Sequence, residues 1–160
     1  MTSNDLNRSL PGLFRELVHG AGGAGFILNA HDTGLLASLD KLSAEEASES
    51  TNGGATIAAH VAHVSYGLSL MNRWAAGENP FGSTDWSAAW KTTTVADAEW
   101  VRLRHDLREQ ADRWLHSLAH PREISGVEID GVIASIAHLA YHLGAVRQIQ
   151  ASARGPKEGS

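Results

Sequence analysis

Two histidines one helical turn apart, His138 and His142, lie in the stretch Ile133-Ala-Ser-Ile-Ala-His138-Leu-Ala-Tyr-His142-Leu-Gly144. On an α-helix residues i and i+4 share a face, with β-carbons about 5–6 Å apart, and two imidazoles so placed can hold one metal ion. Their neighbours are apolar: Ile129, Val132, Ile136, Leu139, Leu143, Val146 and Ile149, with Asp130 and Arg147 the only charges between Ile129 and Gln150. A helix that is apolar nearly all round is normally buried, so the pattern predicts inward-facing imidazoles, and buried polar groups need partners. A metal is one such partner; a carbonyl, a water or another side chain is the plain alternative. A second pair stands at His60-Val-Ala-His63. On a helix from about Thr56 to Ala76, Thr56, His60, His63, Gly67, Leu70 and Trp74 form a stripe beside Ile57, Val61, Val64, Leu68 and Met71. Gly131, Ser135, His138, His142 and Ala145 form the corresponding stripe on the last helix. If the stripes face each other, three imidazoles converge and the small residues Gly67 and Ala145 leave a void. That is a His₃ site with an open position, the arrangement of catalytic zinc, and zinc or nickel suits it first among the divalent ions that take imidazole.

The elements that must position these residues are helical throughout. Residues 5–18 read as a short amphipathic segment, and Gly20-Ala-Gly-Gly-Ala-Gly25 interrupts the pattern because glycine weakens a helix. A second piece carries Phe26, Ile27, Leu35, Leu36, Leu39 and Leu42 at helical spacing. Ser43-Ala-Glu-Glu46 is a capping turn. Gly77-Glu-Asn-Pro80 ends the first histidine helix, and residues 81–94 form a loop with Trp86 and Trp90. Thr94-Val-Ala-Asp97 opens a long helix to about Ala119, striped by Trp100, Leu103, Leu107, Ala111, Trp114 and Leu118 and stopped by Pro121. No segment alternates apolar and polar over a strand's length. Four principal helices plus a short N-terminal one predict an all-α four-helix bundle, with residues 1–153 as one domain and 154–160 as a flexible C-terminal tail.

Composition agrees. A chain of 160 residues with 42% hydrophobic content supports one core, and a net charge of −5 with scattered basic residues gives no nucleic-acid surface. No apolar run reaches about 18 residues and no basic-then-apolar start suggests a signal peptide, so no membrane span is expected and the cytoplasm is the expected location. The chain has no Cys, which excludes disulfides, thiolate ligands and a cysteine nucleophile, whereas nine His is high.

Thr56-Ile-Ala-Ala-His-Val-Ala-His63, followed far downstream by His138-Leu-Ala-Tyr-His142-Leu-Gly144, resembles the DinB-like family of small four-helix bundles. Arg73-Trp74-Ala-Ala-Gly77-Glu78 and Glu99-Trp100 fit that resemblance, which covers roughly residues 25–150. It implies a divalent metal held by one histidine of the second bundle helix and two of the fourth, here His63, His138 and His142. The tryptophan often found about two turns before the first ligand is replaced by Ala55-Thr56, which keeps His60 open in that role, the other histidine being a supporting donor or a packed core residue. Family members include thiol-dependent S-transferases, a thiol-dependent isomerase and metal hydrolases. An open His₃ site can lower the pKa of a bound water from 15.7 to about 7 or hold a thiol deprotonated. The expectation is therefore a metal-dependent enzyme of thiol-transfer or hydrolytic type, with a small-molecule substrate and a low-molecular-weight thiol, and compatible with a homodimer. The alternative is a non-catalytic metal-binding or stress-associated bundle whose ion is structural.

Other motifs are weaker. The glycine patch matches G-x-G-x-x-G without the strand and βαβ unit that fingerprint requires. His138 is followed by Leu139 rather than Glu, so the general base of a zinc protease is missing from its place. Glu16-Leu-Val-His19 is a single Glu-x-x-His, where a di-iron bundle needs two. His105, His116 and His120 fall off the apolar stripe and read as solvated, His31 reads as ordinary packing or a pocket residue, and Tyr141 points away from the ligand pair toward another helix or subunit. Trp86 and Trp90 either cap the metal cavity or pack as a satellite cluster beneath their loop, the latter being the plainer expectation.

Overall fold

The computed structural model describes residues 3–120 and 125–157. Among them the chain forms seven α-helices and no strand: α1 (Ser3–His19), α2 (Gly34–Asp40), α3 (Ala44–Ser48), α4 (Ile57–Ala75), α5 (Trp86–Ala89), α6 (Asp97–Ala119) and α7 (Gly126–Ile149). Local chemistry sets the starts. The Thr56 hydroxyl accepts the Ala59 N–H at 3.2 Å and donates to the Thr93 carbonyl at 2.9 Å, so it caps α4 and ties it to the segment entering α6. The Glu128 carboxylate accepts the Ser125 N–H at 2.8 Å while the Ser125 hydroxyl accepts from Glu128, a reciprocal cap at the start of α7. Ser43 and Glu46 do the same for α3, as their spacing predicts. At α6 the cap is the Glu99 carboxylate on the Ala96 N–H, two residues beyond Thr94. Pro121, expected to stop α6, and residues 158–160 of the tail lie outside the described residues.

Each long helix lies against two others: α4 against α6 and α7, and α1 against α6 and α7. Phe14 and Leu17 of α1, Ile57 of α4, Leu107 and Trp114 of α6 and Leu139 of α7 are fully buried between them. The striped faces read from α6 are the buried ones, with Trp100, Leu107, Ala111, Trp114 and Leu118 in the core. By length and composition alone α7 could cross a membrane; here it packs on α1 and α4 with Val132, Leu139, Leu143 and Val146 in the core.

One assignment changes. The segment starting at Phe26 is not helical before Gly34, and α1, read as a short extra helix, is one of the four long ones. The cause is Glu16. Its carboxylate accepts the backbone N–H groups of Phe26, Ile27 and Leu28 at 3.0, 2.7 and 2.7 Å, which pins that stretch as a loop and leaves Phe26 96% exposed. Burial raises the Glu16 pKa, but those three N–H bonds outweigh it and hold the carboxyl below its usual value. Gly20 at φ +100° passes so close to this loop that a Cβ there would stand 2.2 Å from the Asp32 carbonyl oxygen.

Beyond α7 the chain folds back. Ala153 is fully buried, the Arg154 Nε donates to the Arg147 carbonyl at 3.0 Å, and Lys41 Nζ donates to the Arg154 carbonyl at 3.2 Å.

Candidate metal centre

Four histidines from α4 and α7 meet inside the molecule. His63 Nε2 lies 3.1 Å from His138 Nε2, and His142 Nε2 lies 2.9 Å from that same atom. His63, His138 and His142 each bring a ligand nitrogen within 4.8 Å of the others. Nitrogens around a tetrahedral ion at about 2.0–2.1 Å stand a little over 3 Å apart, so these three need move only slightly to share one. His60 is placed differently: its Nδ1 is 2.8 Å from His142 Nδ1, on the opposite edge of that ring from His138. His60 therefore contacts His142 and lies outside the group of three whose nitrogens converge. If His142 donates its Nδ1–H to His60, its Nε2 is left as a lone pair facing the other two imidazoles.

The proton count favours a cation. Three Nε2 atoms turned to one point can share one N–H at best, leaving the remaining lone pairs opposed, whereas a divalent ion accepts all three. His63, His142 and His60 are 8%, 2% and 7% exposed, and His63 Nδ1 is buried with no hydrogen-bond partner among the described residues. Burial first, and the neighbouring imidazoles with it, bring the His142 pKa down to about 3 and that of His63 to about 4; burial also lowers His60 and His138. All four are neutral at pH 7, the state in which imidazole binds metal.

The helices supply this geometry through their phasing. The α4 and α7 stripes do face each other: a Cβ on Gly67 would lie 3.6 Å from His138 Cε1, and Gly131 backs onto Trp74 so tightly that a Cβ there would meet its ring at 2.8 Å. Beside the cluster, between the two helices, is a cavity of about 550 Å³ that His63 and His138 border.

Trp86 and Trp90 cover the centre, so the plainer expectation for them gives way. The Trp90 ring stacks on His63 at 4.4 Å and 28° and meets His60 edge-on at 5.3 Å, while Trp86 lies 5.6 Å from His63. Asp85 holds them there by capping the single turn of α5, accepting the Ser87 and Ala88 N–H groups at 3.0 and 3.2 Å, and the Tyr66 hydroxyl accepts the Asp85 N–H at 3.2 Å. The signal in the sequence is the spacing of four, which puts both indoles on one side of a turn.

Comparison with protein-family models, with curated proteins and with solved structures returns no match. His31, His105, His116 and His120 are exposed and stand apart from it, and Tyr141 is 68% exposed. His105 with Asp106 and Glu109 makes a second group with ligand spacing, wholly exposed on α6, where acidic groups commonly sit without an ion.

Proposed function

We propose that this protein is a metal-dependent enzyme of the DinB-like kind, a four-helix bundle in which His63, His138 and His142 hold a divalent ion, zinc or nickel first. The observation that supports it is the convergence of three neutral imidazoles, His63 and His142 buried and His138 half-buried, from two helices next to a cavity large enough for a substrate. A divalent ion there would supply Lewis acidity toward a water, a thiol or a carbonyl oxygen. The chain's own residues do the rest. His60 fixes the ring of His142, Trp90 and Trp86 exclude water from the His63 side, and Gly67 leaves His138 open to the cavity. Among the described residues the cavity walls include no Asp or Glu to serve as a general base, which favours thiol transfer over hydrolysis within this reading.

The test begins with metal analysis of protein purified without an affinity tag. His138→Ala abolishes stoichiometric metal, and His105→Ala leaves it unchanged; equal behaviour of the two overturns the ligand set. Metal-loaded protein is then incubated with electrophiles and a panel of cellular thiols, and an adduct scored by mass supports transfer. A cobalt-substituted protein whose spectrum ignores every added thiol favours the alternative of a structural ion.

A further inference from the structure

We propose that the cavity between α4 and α7 binds an uncharged, mainly apolar small molecule, an alkyl or aryl group of drug-like size, with its reacting polar atom turned to His138; this rests on reading the histidine cluster as a metal centre. The volume of about 550 Å³ lies in the range of small-molecule sites. Its walls are Val64, Leu68, Met71 and Leu139, its rim Phe81 and Trp86, and among the described residues no Asp, Glu, Lys or Arg lines it. The polar lining side chains besides the two imidazoles come down to Ser135. That hydroxyl is already engaged, donating to the Val132 carbonyl at 2.7 Å and accepting from Trp114 Nε1 at 3.1 Å. A cationic group entering here would lose its water without gaining a counter-ion, and an anionic one would meet only the ion at the His138 end, so the apolar walls themselves favour neither.

The rim points the same way. Phe81 and Trp86 are 42% and 41% exposed although they border an apolar space, so a bound apolar group would cover surface that the fold leaves open to water. Both sit on short segments, Pro80–Ser83 and α5, while the walls are the two long helices.

Gly67 sets the passage between cavity and centre. Glycine inside a helix is destabilising by about 1 kcal/mol relative to alanine, and nothing in the packing demands it. A Cβ there would meet His138 Cε1 and Trp86 at 3.6 Å, ordinary contact, unlike the 2.8 Å clash at Gly131. What glycine provides at position 67 is open space in front of His138, so a larger side chain would block it.

The test uses the metal-loaded full chain and N-phenyl-1-naphthylamine, a neutral apolar dye, displaced by straight-chain alcohols from butanol to octanol and by alkyltrimethylammonium ions of matched chain length, which cannot ligate a metal. Affinity of the alcohols rises about fourfold per methylene, and each ammonium ion binds at least tenfold more weakly than its alcohol. Gly67→Leu abolishes the length dependence with metal content unchanged, and Gly67→Ala keeps it. If Gly67→Leu loses helix content by circular dichroism, Ala134→Phe, at an exposed wall position, makes the same test. Ammonium ions equal to alcohols, or no length dependence in the wild type, overturns the proposal. Length-dependent binding in a chain that takes up no metal upholds the cavity and refutes the metal centre instead, so the two failures are told apart.

Discussion

Two buried polar clusters sit along α7, and they are built on opposite principles. Toward its C-terminal end, Arg147 forks onto Asp32, NH1 to Oδ2 at 2.8 Å and NH2 to Oδ1 at 2.7 Å, while the Gly34 N–H donates to Oδ1 at 2.8 Å and Ser38 Oγ accepts from NH2 at 3.1 Å. Acid and base are both present, and the charges cancel internally. Burial raises the Asp32 pKa, yet the Arg147 hydrogen bonds, the Gly34 N–H and the nearby cations outweigh it and keep the carboxyl ionised. One turn earlier, the histidine cluster has bases only. It carries no acidic group, and three of its ring nitrogens converge on one another. The first cluster is complete as it stands and holds the 29–34 loop to α7. The second is a group of neutral bases that could hold a cation, as the first could not.

Removing one partner should separate the clusters most sharply. Arg147→Met leaves Asp32, 3% exposed, as an uncompensated buried charge and should cost about 3–5 kcal/mol in urea unfolding. Adding Asp32→Asn should recover most of that loss. A single-variant cost under about 1 kcal/mol would show the pair to be a surface bridge.

The matching change beside the centre is milder. His60→Phe keeps the packing but removes the partner of His142 Nδ1, and metal affinity should fall about 10–100-fold with little change in metal-free stability. His60→Asn, which restores an acceptor, should recover part of it. Unchanged affinity in His60→Phe would mean that His60 is core packing and nothing more.

Acid should then resolve the two clusters by pH. His63 and His142 titrate near 4 and 3 in the folded chain, against about 6.5 unfolded. Between those values the unfolded state binds more protons, so metal-free stability is complete above about pH 7 and falls as pH drops from 6.5 toward 4, by about 1.4 kcal/mol per unit for each such group. Asp32, with its depressed pKa, gives up its share only below the ordinary carboxylate range near 3.9. A urea-unfolding series flat from pH 7 to 4.5 would contradict the buried, neutral state of the histidines.

Much of the centre was legible because it depends on helical phase. Nearly continuous apolar residues around His138 and His142, and the paired stripe through His60, His63 and Gly67, fix which sides of α4 and α7 meet. The choice between His60 and His63 was not legible. Three residues apart they lie about 60° apart on the helix, and only the position of the His142 ring decides which one reaches the shared point. The loop over residues 26–33 was misread for a different reason. Its apolar spacing is helical, but its N–H groups are captured by a carboxylate ten residues upstream, and periodicity does not see a long-range acceptor. Trp86 and Trp90 carried a spacing signal whose direction depended on Asp85 and Tyr66 folding the turn back over α4.

The indole of Trp90, stacked on His63, turns the centre into its own optical gauge. An imidazole that gains positive charge draws emission from a neighbouring indole, and of the five tryptophans Trp86 and Trp90 are the two in ring contact with that histidine. Filling or emptying the centre should therefore be visible in the intrinsic light of the unlabelled protein, in real time and at micromolar amounts.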